Sequence, residues 1–308
     1  MNDSAEALEI NGVRIEPTFA EAFDMKATRL VITASDAEWA EQAARAISGF
    51  GTSVIDCKLE IDLEQRLTAA ETPDGRPGVS VLAFAMSADE LQKQIVRRAG
   101  QCVLTCPTTA LFGGLDPAVC PKRLALGKSL RYFGDGHQIS KLFGGRRYWR
   151  IPVMDGEFIC EHEVPRTDGI GGGNFLLIAR DLESASRAAR AAVSAIEPLA
   201  DVVLPFPGGV TRSGSKIGSK YKSLVASTND AFCPTLRGVT PSRLGAADNA
   251  VLEIVLDGLS EAAIAHAMRQ GISAACVCCG GRGLHAVTAG NYGGKLGRHH
   301  FHLSELMS

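Results

Sequence analysis

The chain has 308 residues, 45% of them hydrophobic, and a formal net charge of −2. That is enough apolar material for a large core and two domains of ordinary size. The near-neutral charge supplies no broad basic footprint and argues against nucleic acid or a membrane surface as partner. No stretch reaches the roughly 18 apolar residues of a membrane span, and the opening MNDSAEALEINGVRIE lacks the basic and apolar regions of a secretory leader. A cytoplasmic protein is expected. Its nine cysteines, scattered through apolar runs such as SVIDC and QCVLTC, fit reduced buried thiols better than a disulfide framework.

In chain order, Ala27–Ala34 reads as a strand, Asp36–Ser48 as a helix capped by Ser35 or Asp36, and Gly51–Leu59 as a strand. The unit then recurs. Val79–Met86 is predicted as strand, Ser87–Ala99 as capped helix and Gln101–Thr105 as strand, followed by hairpin-like segments turning at Gly134-Asp135-Gly136, Gly144-Gly145 and Asp155-Gly156. Asn174–Ala179, Leu182–Ile196 and Asp201–Leu204 read as strand, helix and strand. So do Ala250–Leu256, Ser260–Gln270 and Ile272–Val277. Paired βαβ units of this kind predict an α+β fold: a duplicated ferredoxin-like (split βαβ) sandwich with two lobes, 1–154 and 155–308.

Between Leu204 and Thr235 lies LPFPGGVTRSGSKIGSKYKSLVASTNDAFCPT, a run that no simple core pattern explains. Glycines 208, 209, 214 and 218 let backbone N–H groups approach a ligand, and Arg212, Lys216, Lys220 and Lys222 add positive charge for anionic groups. A flexible solvent loop has the same composition. Pro205 and Pro207 stiffen its start, and Asn229 with Pro234 suggests a chain folded back on itself.

In VLEIVLDGL, strand alternation puts Glu253 on one face with Val251 and Val255. If that face is covered, desolvation raises the pKa of the carboxyl and makes it a general acid. If it is open, Glu253 is an ordinary solvated glutamate on an antiparallel sheet. GIGGGNF and AGNYGGKLG offer close backbone approach beside Asn174 and Asn291, but neither matches a dinucleotide or phosphate loop. Cys276, Cys278 and Cys279 lack a second motif at zinc spacing, and His299, His300 and His302 fit a polar tail better than a metal site. No metal is expected, and the two clusters receive no role.

Eleven colinear stretches then resemble one family: NGV-x-IEPTFAEAF, GFGTSVI, ETPDGRPGV, RAGQCVLT-x-PTTA, YFGDG, DGEFI, GGNF, PFPGGV, SGSKIGSKYK, STNDAFCPT and AGNYGGKLG. The family is formylmethanofuran:tetrahydromethanopterin formyltransferase. The resemblance implies the two-lobed ferredoxin-like fold and formyl transfer between methanofuran, or a bacterial analogue, and tetrahydromethanopterin, with no tightly bound cofactor. It implies Glu253 as the catalytic carboxyl. Substrate contacts are expected from Phe206, Pro207, Gly208, Gly209, Ser215, Lys216, Ser219, Lys220, Tyr221, Asn174, Asn229 and Asn291. It also implies a homo-oligomer, a tetramer. The near-neutral, arginine-containing composition looks bacterial and of methylotroph type, which implies membership of a formyltransferase/hydrolase complex with other subunits. A non-catalytic scaffold in such a complex is the competing reading.

Overall fold

The computed structural model describes residues 8–308, so the leader reading falls partly on residues 1–7, outside the described part. β1 (Leu8–Ile10) and β2 (Val13–Ile15) form a hairpin turned by Asn11 and Gly12, both at positive φ. β3 (Phe19–Thr33) precedes α1 (Ala37–Ser48), which starts where the Asp36 side chain accepts the Trp39 N–H. Its Ala40, Ala43, Ala44 and Ile47 are buried at helical spacing.

The following strand, β4, is Glu60–Leu67 rather than Gly51–Leu59. Phe50 and Lys58 take positive φ, the Cys57 N–H turns back to the Ser53 carbonyl, and Glu60 accepts the Val54 N–H, so local turn chemistry overrides the strand-like composition. β5 (Gly78–Ala85) leads to α2 (Ala88–Arg98), capped by Ser87. Gln101–Thr105 is also not a strand. The helix widens over Ala99–Val103, the Leu104 N–H reaches the Ala99 carbonyl at 2.9 Å, and Ala99 and Val103 are buried.

β6 (Ala110–Gly113), β7 (Lys122–Ala125) and the short α3 (Gly127–Leu130) come next. β8 (Ile139–Phe143), β9 (Arg146–Val153) and β10 (Gly156–Glu161) then form hairpins at the expected glycine turns. β11 (Glu163–Ala179) precedes α4 (Leu182–Ile196), capped by Asp181. β12 covers only Val202–Val203, because Asp201 turns the chain at φ 68°. β13 (Ser215–Ile217) and β14 (Ala226–Thr228) are a separate two-stranded hairpin inside the long glycine-rich run.

β15 (Ala250–Gly258) precedes α5 (Glu261–Cys279). The expected strand Ile272–Val277 is therefore the second half of a helix, and Met268, Ile272, Ala275, Cys276 and Cys279 are buried at helical spacing. Short apolar runs do not distinguish the two by content alone. A Cβ on Gly271 would lie 2.7 Å from Ile196 Cδ1 and 3.0 Å from Phe175 Cζ, so the bare glycine is what lets α5 approach α4. β16 (Leu284–Thr288), β17 (His299–His302) and α6 (Leu303–Met307) complete the chain.

The fold is mixed, with large sheets and few helices, and divides into two compact units. One is Met25–Gly169. Its antiparallel strand order is β6-β3-β5-β4, with α1 and α2 packed on the sheet around Leu30, Ile32, Ile47, Val81, Leu91 and Ile95. The other joins the residues up to Asp24 with Ile170–Ser308. There the order is β1-β2-β16-β11-β15-β12, and α4 and α5 pack on each other and on β15 around Phe175, Leu177, Ile254, Leu256, Ile264 and Ile272. Met154 sits at the turn between β9 and β10.

Candidate active site

Along β15, Ile254 and Leu256 enter the helix-backed core, and Val251, Glu253 and Val255 face the other way. That second face is not left to solvent. The chain between β12 and β15 folds over it, and Val251 packs with Phe232 beside Ile178, Leu244 and Ala286. Thr211 is stitched to the free edge of β15: its N–H donates to the Glu253 carbonyl at 2.8 Å and its carbonyl accepts the Glu253 N–H at 2.9 Å. Glu253 is thus partly buried in a small open pocket lined by Leu176, Thr211, Gly214, Asn229, Phe232 and Cys233.

Desolvation in this position pushes the Glu253 carboxyl up to about 7. Such a group exchanges a proton readily near neutral pH. Gly214, at φ 48°, leaves the acid uncovered: a Cβ there would stand 3.9 Å from Glu253 Oε2 and 3.1 Å from the Asn229 Cβ. The Tyr292 hydroxyl comes within hydrogen-bonding reach of Ser215. Burial first, and then the charges of Glu253 and Glu21, raise its pKa against the lowering contact with Ser215. One pocket therefore brings together a carboxyl poised to exchange a proton, two hydroxyls and a glycine-rich backbone.

Residues 8–153 match the family model of formylmethanofuran-tetrahydromethanopterin formyltransferase, and residues 156–306 match the proximal lobe of that family. The chain belongs to the formylmethanofuran-tetrahydromethanopterin formyltransferase family. It is 61% identical over 314 residues to a protein of that name from Rhodopirellula baltica, covering 98% of this chain and 94% of that protein. The crystal structure of the formyltransferase/hydrolase complex from Methylorubrum extorquens with methylofuran matches it at TM-score 0.95 and 47% identity, over 98% of this chain and 99% of that one. The Methanosarcina barkeri enzyme of the family matches at TM-score 0.90 and 44% identity, over 97% of this chain and 100% of that one.

The other residues singled out from the sequence are spread around this pocket. Phe206 to Gly209 form a tight turn after β12, in which the Phe206 carbonyl accepts the Gly209 N–H at 2.8 Å. Gly209 is buried against Val193 and Leu204, and Pro207 and Gly208 are exposed. Ser215 and Lys216 open β13, and Lys216 donates to Asp230 at 2.7 Å, which ties the hairpin to the segment beginning at Asn229. Ser219, Lys220 and Tyr221 lie at the hairpin end, where Ser219 Oγ accepts the Tyr221 N–H.

Asn174 and Asn291 spend their amides on the protein itself. Asn174 donates to the Gly172 and Gly290 carbonyls and accepts the Gly290 N–H at 2.6 Å. Asn291 donates to the Thr18 hydroxyl and the Phe19 carbonyl and accepts the Gly293 N–H. The glycines of GIGGGNF likewise serve packing: a Cβ on Gly173 would meet Ile264 at 2.8 Å, and the Gly172 N–H donates to Asp257.

Thr211, Tyr292 and Glu21 were not singled out from the sequence. Tyr292 is a lone aromatic set between glycine turns, and Glu21 is a carboxyl within the apolar strand FAEAF, the same signal that marked Glu253. The cysteine cluster closes α5, with Cys276 buried and its thiol pushed up to about 11 by desolvation. His299 bridges Asp24 and Glu261, and His300 and His302 lie against the Phe19 ring. Among the described residues no group of three His, Cys, Asp or Glu side chains is placed to hold a metal ion, and no helix is long and apolar enough to cross a membrane.

Proposed function

We infer that the chain is a formyltransferase of one-carbon metabolism, moving a formyl group reversibly between tetrahydromethanopterin and methanofuran or a bacterial analogue of it. Family membership over nearly the whole chain supports the reaction and both carriers, which are substrates rather than resident cofactors. The mechanistic part rests on one observation: Glu253 faces a pocket with its carboxyl raised to about 7.

Transfer between two amines passes through a tetrahedral adduct. The attacking nitrogen forms a bond to the formyl carbon, the bond to the departing nitrogen breaks, and the departing nitrogen must receive a proton. Protonated Glu253 donates that proton when the furan amine leaves. Ionised Glu253 takes one from the furan amine when it attacks. Negative charge on the formyl oxygen is met by backbone N–H groups of the Gly208–Ser215 segment. Phe206, Pro207, Gly208, Gly209, Ser215, Lys216, Ser219, Lys220, Tyr221 and Asn229 contact the carriers. Asn174 and Asn291 serve the site by holding the Ala289–Gly297 loop, since their amides are engaged there.

A duplicated ferredoxin-like architecture is supported by the matching strand orders β6-β3-β5-β4 and β16-β11-β15-β12, each carrying two helices. Two lobes meeting near Met154 are supported by family matches that stop at 153 and resume at 156. The likeness to a subunit of the M. extorquens complex supports work beside hydrolase subunits in the cytoplasm, as a homo-oligomer, a tetramer.

The test is Glu253→Gln, assayed by pterin absorbance with formyl-tetrahydromethanopterin and a furfurylamine carrier. Transfer should fall by about 10²-fold or more with the fold and carrier affinity retained. Transfer at the parent rate would remove Glu253 from the chemistry and favour a non-catalytic scaffold.

A further inference from the structure

We infer that Tyr292 is a further donor to the reacting centre and that Glu21 is the residue that positions it. The inference rests on the reading of Glu253 given above, and it starts from how the loop between β16 and β17 is held. This loop contains Gly293 and Gly294 at positive φ and joins no strand. What gathers it is the Glu21 carboxylate, on β3 and 1% exposed.

One Glu21 oxygen accepts the N–H groups of Tyr292 at 2.7 Å and Gly294 at 2.8 Å, and the other accepts those of Leu296 at 2.7 Å and Gly297 at 2.6 Å. Burial opposes its charge, but these four donors outweigh that and hold its pKa below the ordinary value. Gly297 is required for the approach, since a Cβ there would fall 2.3 Å from the Ala22 carbonyl oxygen. The amides that a glycine-rich loop would otherwise offer to an external anion are therefore occupied by an internal one.

The cradle sets where the phenol goes. With its amide fixed on Glu21, the Tyr292 ring rests beside Phe23 at a centroid distance of 6.0 Å, and its hydroxyl reaches Ser215, the residue after the Gly214 that leaves Glu253 uncovered. The phenol stays protonated at neutral pH in this setting. As the formyl oxygen gains negative charge, a neutral O–H can hydrogen-bond it without giving up its proton, and Glu253 alone carries the proton exchange. Glu21 acts through Tyr292 and touches neither carrier.

The experiment uses the full chain and both carriers. Tyr292→Phe should lower kcat by about 10²-fold, as loss of one oxyanion donor does, with KM changed by less than about threefold. Glu21→Gln replaces an acceptor oxygen by an N–H₂ group and leaves amides unpaired, so kcat should fall similarly. Because Glu21 works through Tyr292, the double variant should lose little more than the worse single variant. If Glu21→Gln does not fold, Tyr292→Phe alone decides. Parent kcat in Tyr292→Phe, or multiplying losses in the double variant, would overturn the inference. Glu253→Gln run alongside separates the two readings: an inactive Glu253→Gln with a fully active Tyr292→Phe sinks only this one, and an active Glu253→Gln sinks the earlier one.

Discussion

Thr211 and Glu253 exchange both backbone hydrogen bonds, at 2.8 and 2.9 Å, so the segment after the Phe206–Gly209 turn continues the sheet by one residue beside the acid. The bridge sets the distance between a strand side chain and a loop, which is otherwise the least constrained relationship in a site. From it follows the direction in which pH should act.

Glu253, raised to about 7, is protonated below that pH and ionised above it. Transfer from the furan carrier to the pterin needs the acid and should decline as pH rises through about 7. Transfer in the other direction needs the base and should decline as pH falls through the same value. Initial rates in both directions between about pH 5.5 and 8.5 check this. Parallel profiles would remove Glu253 from the proton exchange. The same shift bears on stability: a carboxyl raised in the folded state stabilises fully below its ordinary range and loses that contribution as pH climbs through about 7. Glu253→Gln should therefore gain stability relative to the parent at alkaline pH.

Lys220 lies exposed at the end of the β13–β14 hairpin, and Lys216 is paired with Asp230. Lys220→Ala should raise KM for a carboxylate-bearing carrier with kcat held. Lys216→Ala should raise KM as well and also free the Asp230 segment. Calorimetric titration with either carrier checks both, and unchanged affinity in the double variant would refute the assignment.

Gly208 and Gly209 both take positive φ, but only Gly209 is confined: a Cβ there would stand 2.8 Å from Val193 Cγ2 and 2.9 Å from Leu204 Cδ1, whereas Gly208 has nothing within 4 Å. Gly208→Ala should cost about 1 kcal/mol for backbone strain alone, and Gly209→Ala more, because Val193 and Leu204 must also move. Urea denaturation midpoints compare them. Equal losses would mean that the pocket side of α4 yields freely.

His299 meets Asp24 at 2.9 Å and Glu261 at 2.5 Å, with Arg298 also on Asp24. Burial disfavours its charge, but the two carboxylates outweigh it and raise its pKa. The raised value means that its contribution to stability is complete below the ordinary histidine pKa and is lost as pH rises through the higher one. His299→Gln should flatten that part of the stability profile. A profile unchanged by the substitution would show that the bridge adds nothing.

Much of the fold was legible because helix caps and buried stripes agree with each other, as at Asp36 with Ala40, Ala43 and Ile47. The misread segments share a cause. Gly51–Leu59, Gln101–Thr105 and Ile272–Val277 are short and apolar, and their structure is decided by contacts outside the segment, such as Gly271 against Ile196 or Glu60 on the Val54 amide. At the site, alternation in β15 suffices to mark Glu253. It does not show what covers that face, because Thr211 and Tyr292 reach it from segments without periodicity. Glu21 carries the same strand signal as Glu253, yet only the three-dimensional arrangement separates a carboxylate saturated by amides from one left bare.

The β13–β14 hairpin pairs with itself alone. A two-stranded ribbon with Ile217, Tyr221, Leu224 and Val225 in solvent has little apolar contact to resist fraying, so it should detach and re-form far more often than the sheet beneath it. Amide protons of Ser215–Thr228 would then exchange with deuterium well before those of β15. A bulky carrier could reach the acid through this fluctuation without disturbing the packed layers behind.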